Sequence, residues 1–161
     1  MSKIDLGADA LDVLVGDVAR YGALGLETGA LFLTPPGEPS VTVLALAGTA
    51  DIDRHARLLV LSSAALNPLF AYAEQNNVQV RAQIHSHMHE AFLSNTDKTG
   101  NIRMPGFIAS VIPNFATPSH DPATWGWWAF QDSDWVPIAP ASVKARTTTV
   151  ITFDADGVRE H

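Results

Sequence analysis

The chain has 161 residues, enough for one domain and too few for two ordinary ones, and its 47% hydrophobic and 17% charged residues exclude a mostly disordered chain. The formal net charge of -7 argues against nucleic acid and anionic membranes as partners, and the absence of cysteine excludes disulfides and thiolate metal sites. No apolar run reaches the ~20 residues that cross a bilayer, and the N-terminus lacks a secretory layout, so one cytoplasmic domain over residues 1–161 is expected.

The first half of the chain predicts a helix, a hairpin, a strand and a second helix. Apolar residues at helical spacing predict a helix over about 9–21. The apolar runs 29–34 and 40–47 flank a Pro-Pro-Gly turn and predict a β-hairpin. The polar residues 48–57 are expected to form a loop or an irregular edge, and 58–63 a strand. Asn67 and Pro68 are residue types favoured at a helix N-cap and first helical position, so the second helix is expected to begin there and end near Gln75.

Strict alternation of apolar and polar residues predicts a strand from Asn77 to His87. The predicted apolar face carries Val78, Val80, Ala82 and Ile84, and the predicted polar face carries Gln79, Arg81, Gln83, His85 and His87. Because strand residues two apart point to the same side, the two imidazoles are expected to be close enough to share one metal ion. A histidine that serves only core packing would occupy the opposite face.

The second half of the chain predicts a short helix and further strands. The helix is expected from Ser94 to about Asn101, and strands are expected at 106–113, 125–131, 135–138 and 147–153. The four tryptophans, Trp125, Trp127, Trp128 and Trp135, are expected to belong to the core. This succession predicts a single α/β domain with a mixed sheet.

Ser94 and Asp97 are three residues apart at the start of the predicted short helix, and two interpretations of them stay open. They form an S-x-x-D capping arrangement, in which each side chain bonds the other residue's backbone. Alternatively, Asp97 joins the two histidines in a three-ligand zinc site with a fourth position for water, the catalytic coordination pattern. Such a site also needs a base and an oxyanion donor, for which Glu27 and Ser94 are the candidates.

These segments together resemble the JAB/MPN (JAMM) metallopeptidases, of the compact prokaryotic type, over about residues 9–153. The resemblance rests on Glu27-Thr28-Gly29 before an apolar strand, H-x-H at 85–87 and S-x-x-D at 94–97. It implies a mixed curved β-sheet flanked by helices, in a cytidine-deaminase-like arrangement. It also implies hydrolysis of a peptide or isopeptide bond at the C-terminus of a ubiquitin-like or sulfur-carrier protein.

The resemblance further implies one Zn²⁺ per chain. His85, His87 and Asp97 would be the zinc ligands, Glu27 the general acid/base and Ser94 the oxyanion donor. The likeness does not extend to the identity of the protein substrate or to the oligomeric state.

The sequence departs from the family pattern at two points. Six residues separate His87 from Ser94, one fewer than in the pattern, and Met88 stands where a proline usually follows the second histidine. If the helix shifts, His89 becomes a substitute ligand or a substrate contact; otherwise it is a surface histidine or one behind the ligands. The alternative function is a catalytically inactive MPN-like scaffold that binds a protein partner and no zinc.

Overall fold

The computed structural model describes residues 3–161, and within them strands greatly outnumber helices. In chain order the elements are β1 (Asp5–Gly7), α1 (Ala8–Gly22), β2 (Gly29–Thr34), β3 (Val43–Ala47), β4 (Ile52–Arg54), β5 (Leu59–Leu61), α2 (Ser63–Gln75), β6 (Gln79–Ser86), α3 (Asn95–Gly100), β7 (Ile108–Ile112), a 3-10 turn (Pro122–Thr124), β8 (Gly126–Gln131), β9 (Asp134–Pro137), β10 (Ser142–Lys144), β11 (Thr149–Asp154) and β12 (Gly157–Glu160).

Eight of these strands form one mixed sheet, in the order β12-β11-β3-β2-β6-β7-β8-β9. The pairs β11–β3 and β6–β7 are parallel and the other neighbours are antiparallel. Two small sheets lie outside it, the parallel pair β1–β10 and the antiparallel hairpin β4–β5. The predicted α/β class with a mixed sheet is therefore confirmed, whereas β1, β4, β10 and β12 were not predicted.

Helices α1 and α2 cover opposite faces of the main sheet. The apolar stripe of α1 packs with alternate residues of β2, β6 and β7 in one core cluster. On the other face, α2 packs with the remaining residues of these strands and with β3 and β11. All six residues of β2 are buried, because this central strand has a core on both sides. In the described part of the chain, no helix is long and apolar enough to span a bilayer.

The second helix begins earlier than the sequence predicts. Its first residue is Ser63, and the hydroxyl of Ser62 caps it by accepting a 3.2 Å hydrogen bond from the Ala65 N–H. The predicted start at Asn67 and Pro68 is wrong, because both residues lie inside the helix. Burial of Ala65 and Leu69 against the sheet accounts for the earlier start, since apolar burial offsets the local cost of a helical proline.

The strict two-faced alternation predicted for β6 is also wrong at its beginning. Opposite β2, Leu33 pairs with Val80 and Phe32 pairs with Ala82, so Arg81 is an extra residue in a β-bulge. Val80 consequently packs on the α2 side of the sheet, whereas Ala82 packs on the α1 side. Both histidines follow the bulge, so their predicted common face is unaffected.

Replacing Pro68 by alanine is expected to stabilise the protein. A proline inside α2 cannot donate the N–H bond to the carbonyl four residues earlier, and its ring crowds that carbonyl. The free energy of unfolding should rise by about 1–3 kcal/mol, measured by urea denaturation followed by circular dichroism.

Pro36→Ala is the matched control, because Pro36 is exposed in the β2–β3 turn and its replacement repairs no helical bond. We expect no increase in the free energy of unfolding of Pro36→Ala, because the change only raises the conformational entropy of the unfolded chain. A Pro68→Ala variant no more stable than wild type would mean that the helix begins after Pro68.

Candidate metal centre

Three side chains meet where β6 ends and α3 begins. The Nε2 atoms of His85 and His87 are 3.1 Å apart, and each lies 3.2 Å from Oδ2 of Asp97. The three atoms therefore form a nearly equilateral triangle. The two imidazoles do share a face, as the strand period predicts, and both are buried.

This triangle fits a divalent metal ion such as zinc. In a tetrahedral site with bonds of about 2.0–2.1 Å, two ligand atoms lie roughly 3.3 Å apart, close to the separations seen here. Two imidazole nitrogens and one carboxylate oxygen are also the donor set of three-ligand catalytic zinc sites. The donors thus match the ion in both chemistry and spacing.

Glu27 lies beside the same imidazoles. One of its carboxylate oxygens and the ring nitrogens of His85 and His87 all lie within 4.8 Å of one another, so this Glu-His-His group could also hold a metal ion. Glu27 is only 4% exposed, so it is not a solvated loop residue. Burial raises the pKa of Glu27 to about 7, an effect that His87 opposes and Asp97 reinforces. Its carboxyl group is therefore suited to gain and lose a proton near neutral pH.

The carboxyl group of Asp97 behaves in the opposite way. Burial tends to raise the pKa of Asp97, but its hydrogen bonds with the two imidazoles outweigh this and hold the pKa well below its usual range. For His87, burial tends to lower the pKa, but the contact with Asp97 and the nearby Glu27 carboxylate raise it above its ordinary value. Asp97 is thus ionised, which is the state a metal ligand needs.

Hydrogen bonds to the end of β6 hold the backbone around Glu27. The Thr28 N–H donates to the Ser86 hydroxyl at 2.9 Å, and the Ser86 N–H donates to the Thr28 carbonyl at 3.0 Å. On the other side, the Glu27 N–H donates to the His55 carbonyl at 2.9 Å, and Arg54 Nε donates to the Thr28 hydroxyl at 3.1 Å. Glu27 is therefore fixed relative to the histidines through the main chain.

The glycine of the Glu27-Thr28-Gly29 segment is required by close packing. Gly29 lies opposite His85 in the β2–β6 pairing. A Cβ atom on it would come within 2.7 Å of both the Ile84 carbonyl oxygen and the Leu59 side chain. Only glycine lets the two strands approach closely enough to place Glu27 beside the imidazoles.

The tautomer and orientation of His87 are set by its neighbours. Its Nδ1–H donates to the Glu90 carbonyl at 3.0 Å, so the other ring nitrogen, Nε2, faces the cluster. The ring of Phe92 stands edge-on to the imidazole, with the ring centres 4.8 Å apart. The imidazole is therefore held with Nε2 facing His85 and Asp97.

Ser94 and Asp97 form the predicted capping box, and Asp97 also lies beside the two histidines. The Ser94 hydroxyl oxygen accepts from the Asp97 N–H at 3.0 Å, and Asp97 Oδ2 accepts from the Ser94 N–H at 3.0 Å, so the capping box is complete. The same Oδ2 atom faces the imidazoles, so the cap orients the carboxylate. Because the Ser94 oxygen acts as acceptor in the cap, its hydroxyl hydrogen remains available to donate.

The segment between His87 and Ser94 is one residue shorter than in the family pattern, yet Asp97 still lies beside the histidines. The Phe115 N–H donates to the His87 carbonyl at 3.0 Å, and the Asn114 N–H donates to the His89 carbonyl at 2.9 Å. Met88 packs against the α1-side core where the family pattern has a proline. His89 is exposed and is not part of the converging group in the described chain.

Two cavities open beside the cluster and share no lining residue. The first, which we call the Glu27 cleft, has a volume of about 340 Å³ and is lined by Glu27, Arg57, His87, His89, Phe92 and Ser94 among others. The second, the β5 groove, has a volume of about 390 Å³ and is lined by Leu59, Leu61, Leu66, His85, Asp97 and Ile102 among others. The cluster is thus reachable from two directions.

Three residues around the cluster were not predicted from the sequence: Arg54 and Ser86, which hydrogen-bond to Thr28, and Arg57, which lines the Glu27 cleft. Arg54 and Arg57 belong to a segment predicted as a polar loop, and nothing in their spacing marks them. Ser86 gives one signal, because it is a small polar residue between the two histidines and so points to the opposite face of the strand.

No family model matches the chain, and no curated protein matches its sequence. Solved structures do match. The chain shares 14% identity and a TM-score of 0.67 with the solution structure of protein DSY2949 from Desulfitobacterium hafniense, over 89% of this chain and 94% of that one. It shares 12% identity and a TM-score of 0.55 with AF2198, a JAB1/MPN domain protein from Archaeoglobus fulgidus, over 89% and 100%. These likenesses establish an MPN-like fold.

Removing the Ser86 hydroxyl is expected to destabilise the protein. In Ser86→Ala the buried Thr28 N–H loses its acceptor, at a cost of about 1–3 kcal/mol in the free energy of unfolding. Urea denaturation measures this change.

Ser110→Ala serves as the control, since Ser110 is equally buried but donates to the Gly126 carbonyl. An under-satisfied carbonyl is tolerated better than an orphaned N–H, so this loss should be smaller. If Ser86→Ala and Ser110→Ala lose equal amounts of unfolding free energy, the hydrogen bond from the Thr28 N–H does not stabilise the protein more than the Ser110 bond does.

Proposed function

We propose that the protein is a zinc-dependent metallopeptidase that hydrolyses a peptide or isopeptide bond at the C-terminus of a ubiquitin-like or sulfur-carrier protein. The observation that carries the proposal is the convergence of His85, His87 and Asp97 within 3.2 Å of one another, with the buried Glu27 alongside. The MPN-like fold supports it, because the JAB/MPN metallopeptidases that the sequence resembles carry the same residue types in the same order.

His85, His87 and Asp97 would hold the ion. Zinc bound by three protein ligands polarises a substrate carbonyl and lowers the pKa of a coordinated water to about 7. The capping box and the Glu90 carbonyl hold Asp97 and His87 in place beforehand, so little rearrangement is needed on binding.

Glu27 would move the proton during hydrolysis. Its carboxylate accepts a proton from the water whose oxygen attacks the scissile carbonyl carbon, and then returns that proton to the nitrogen as the C–N bond breaks. A carboxyl group with a pKa of about 7 is matched to both transfers. The hydrogen bonds through Thr28 and His55 hold it at a constant distance from the imidazoles.

Ser94 would stabilise the negative charge that develops on the carbonyl oxygen. It lines the Glu27 cleft, and its hydroxyl hydrogen is free to donate because the capping bond uses only the oxygen as acceptor. The same residue thus supports α3 and contributes a donor at the reacting bond.

Replacing His87 by alanine is expected to remove most of the bound zinc. The purified wild-type protein should hold about one zinc per chain, because two imidazoles and one carboxylate converge at ligand spacing. Elemental analysis of the dialysed proteins measures this.

His89→Ala is the matched control and should keep its zinc, since His89 lies outside the converging group. Full zinc occupancy in His87→Ala would refute the site. A wild-type protein that folds but takes up no zinc would instead support the non-catalytic scaffold.

Replacing Glu27 by glutamine should preserve zinc binding and abolish most of the hydrolysis. The amide has nearly the same shape but cannot accept and return the proton, so kcat should fall by about 10²–10⁴-fold. Cleavage of fusions between candidate ubiquitin-like carriers and short C-terminal extensions, followed by mass spectrometry, provides the assay. An unchanged rate would exclude Glu27 from the proton transfers.

A further inference from the structure

The Glu27 cleft contains a single strongly basic side chain. Of the described residues that line it, Arg57 alone is a lysine or arginine, in a chain with 10 basic and 17 acidic residues. Arg57 is exposed and makes no hydrogen bond or ion pair within residues 3–161. Its guanidinium group is therefore free to bind a ligand.

Backbone hydrogen bonds hold Arg57 over the site. It belongs to the tight turn between β4 and β5. A 2.9 Å hydrogen bond from the Glu27 N–H to the His55 carbonyl joins this turn to the Glu27-Thr28-Gly29 segment. The turn is closed by a 2.8 Å bond from the His55 N–H to the Leu58 carbonyl. The position of Arg57 is thus tied to that of Glu27.

The role proposed for Glu27 decides which end of the substrate faces Arg57. If Glu27 returns the proton to the departing nitrogen, that nitrogen must come within hydrogen-bond reach of its carboxyl group. The leaving part of the substrate then occupies the Glu27 cleft. The β5 groove, lined by the apolar Leu59, Leu61 and Leu66, is left for the acyl part.

We propose that the Glu27 cleft binds the C-terminal residue of the substrate, with Arg57 anchoring the free α-carboxylate of that residue; this inference rests on the proposed function. The α-carboxylate of a terminal residue is only two bonds from its nitrogen through Cα, so it lies next to the scissile bond. Guanidinium groups bind carboxylates through paired, charge-assisted hydrogen bonds.

The same geometry selects the bond type. In an isopeptide the leaving nitrogen belongs to a lysine side chain, and no carboxylate lies near it for Arg57 to bind. The protein is therefore a peptidase that trims a C-terminal residue from its substrate. Phe92, half exposed, offers an apolar wall for that residue's side chain, and His89 offers a further N–H donor at the rim.

Binding of two peptides tests this inference. Acetyl-Leu-Gly-Gly-Phe, ending in a free carboxylate or in a carboxamide, is titrated by calorimetry into zinc-loaded Glu27→Gln protein, which does not consume the peptide. The free acid should bind at least about tenfold more tightly than the amide, because only the acid engages the guanidinium. Equal affinities, or no detectable binding of the acid at millimolar concentration, would overturn the inference.

Three further variants in the same Glu27→Gln background locate the effect. Arg57→Gln should reduce the affinity for the acid to that for the amide, and Arg57→Lys should restore part of the preference. Arg103→Gln removes an exposed arginine that does not line the Glu27 cleft, so it should keep the full preference. If Arg57→Gln still binds the free acid more tightly than the amide, a group other than Arg57 binds the carboxylate, and the inference is overturned.

Hydrolysis by the wild-type protein separates this inference from the proposed function. Faster release of phenylalanine from the acid than of phenylalaninamide from the amide supports both. Equal release from both peptides, or faster cleavage of a matched glycine-to-lysine isopeptide, keeps the peptidase function and overturns the carboxylate anchor. Arg57-dependent binding of the acid without any release supports the anchor and contradicts the peptidase function.

Discussion

One carboxylate oxygen links the structure of this site to its chemistry. Asp97 Oδ2 accepts the hydrogen bond that closes the N-terminal cap of α3, and it also lies 3.2 Å from the Nε2 atoms of both His85 and His87. Because the cap holds the Asp97 carboxylate in place, the three atoms are arranged at ligand spacing by the protein alone. A helix of six residues suffices for this, since only its first turn is used.

The glutamate on the other side of the cluster is positioned by a different kind of interaction. Its side chain is buried, and its place is determined by main-chain bonds from Glu27 to His55 and between Thr28 and Ser86. Gly29 permits the close strand approach that these bonds need. Glu27 precedes the first β2–β6 pair, Gly29 with His85, and its burial there raises its pKa to about 7.

The two cavities beside the cluster differ in the residues that line them. The Glu27 cleft has the basic side chain of Arg57 and the buried carboxyl group of Glu27, whereas the β5 groove combines apolar side chains of β5 and α2 with polar side chains of β6 and α3. Under the proposed function, a linear substrate that crosses the cluster from groove to cleft would present its scissile carbonyl to a bound ion and its departing nitrogen to Glu27. The hairpin β4–β5 contributes to both cavities, so a small element outside the main sheet shapes both of them.

Local patterns in the sequence determined the candidate ligands and much of the fold. Period-two spacing places His85 and His87 on one face, and S-x-x-D places Ser94 and Asp97 at a helix start; both follow from backbone geometry within a few residues. Only the tertiary structure decided the start of α2 at Ser63 and the bulge at Arg81, because apolar burial against a distant strand outweighed local preference. The meeting of Glu27 with the histidines, and of Arg57 with Glu27, depends on strand pairing and loop contacts between segments far apart in sequence. Such contacts leave no periodic signal in the chain. The sequence could name Glu27 as a candidate, but only the folded structure showed its burial beside the histidines and the position of Arg57 in the same cleft.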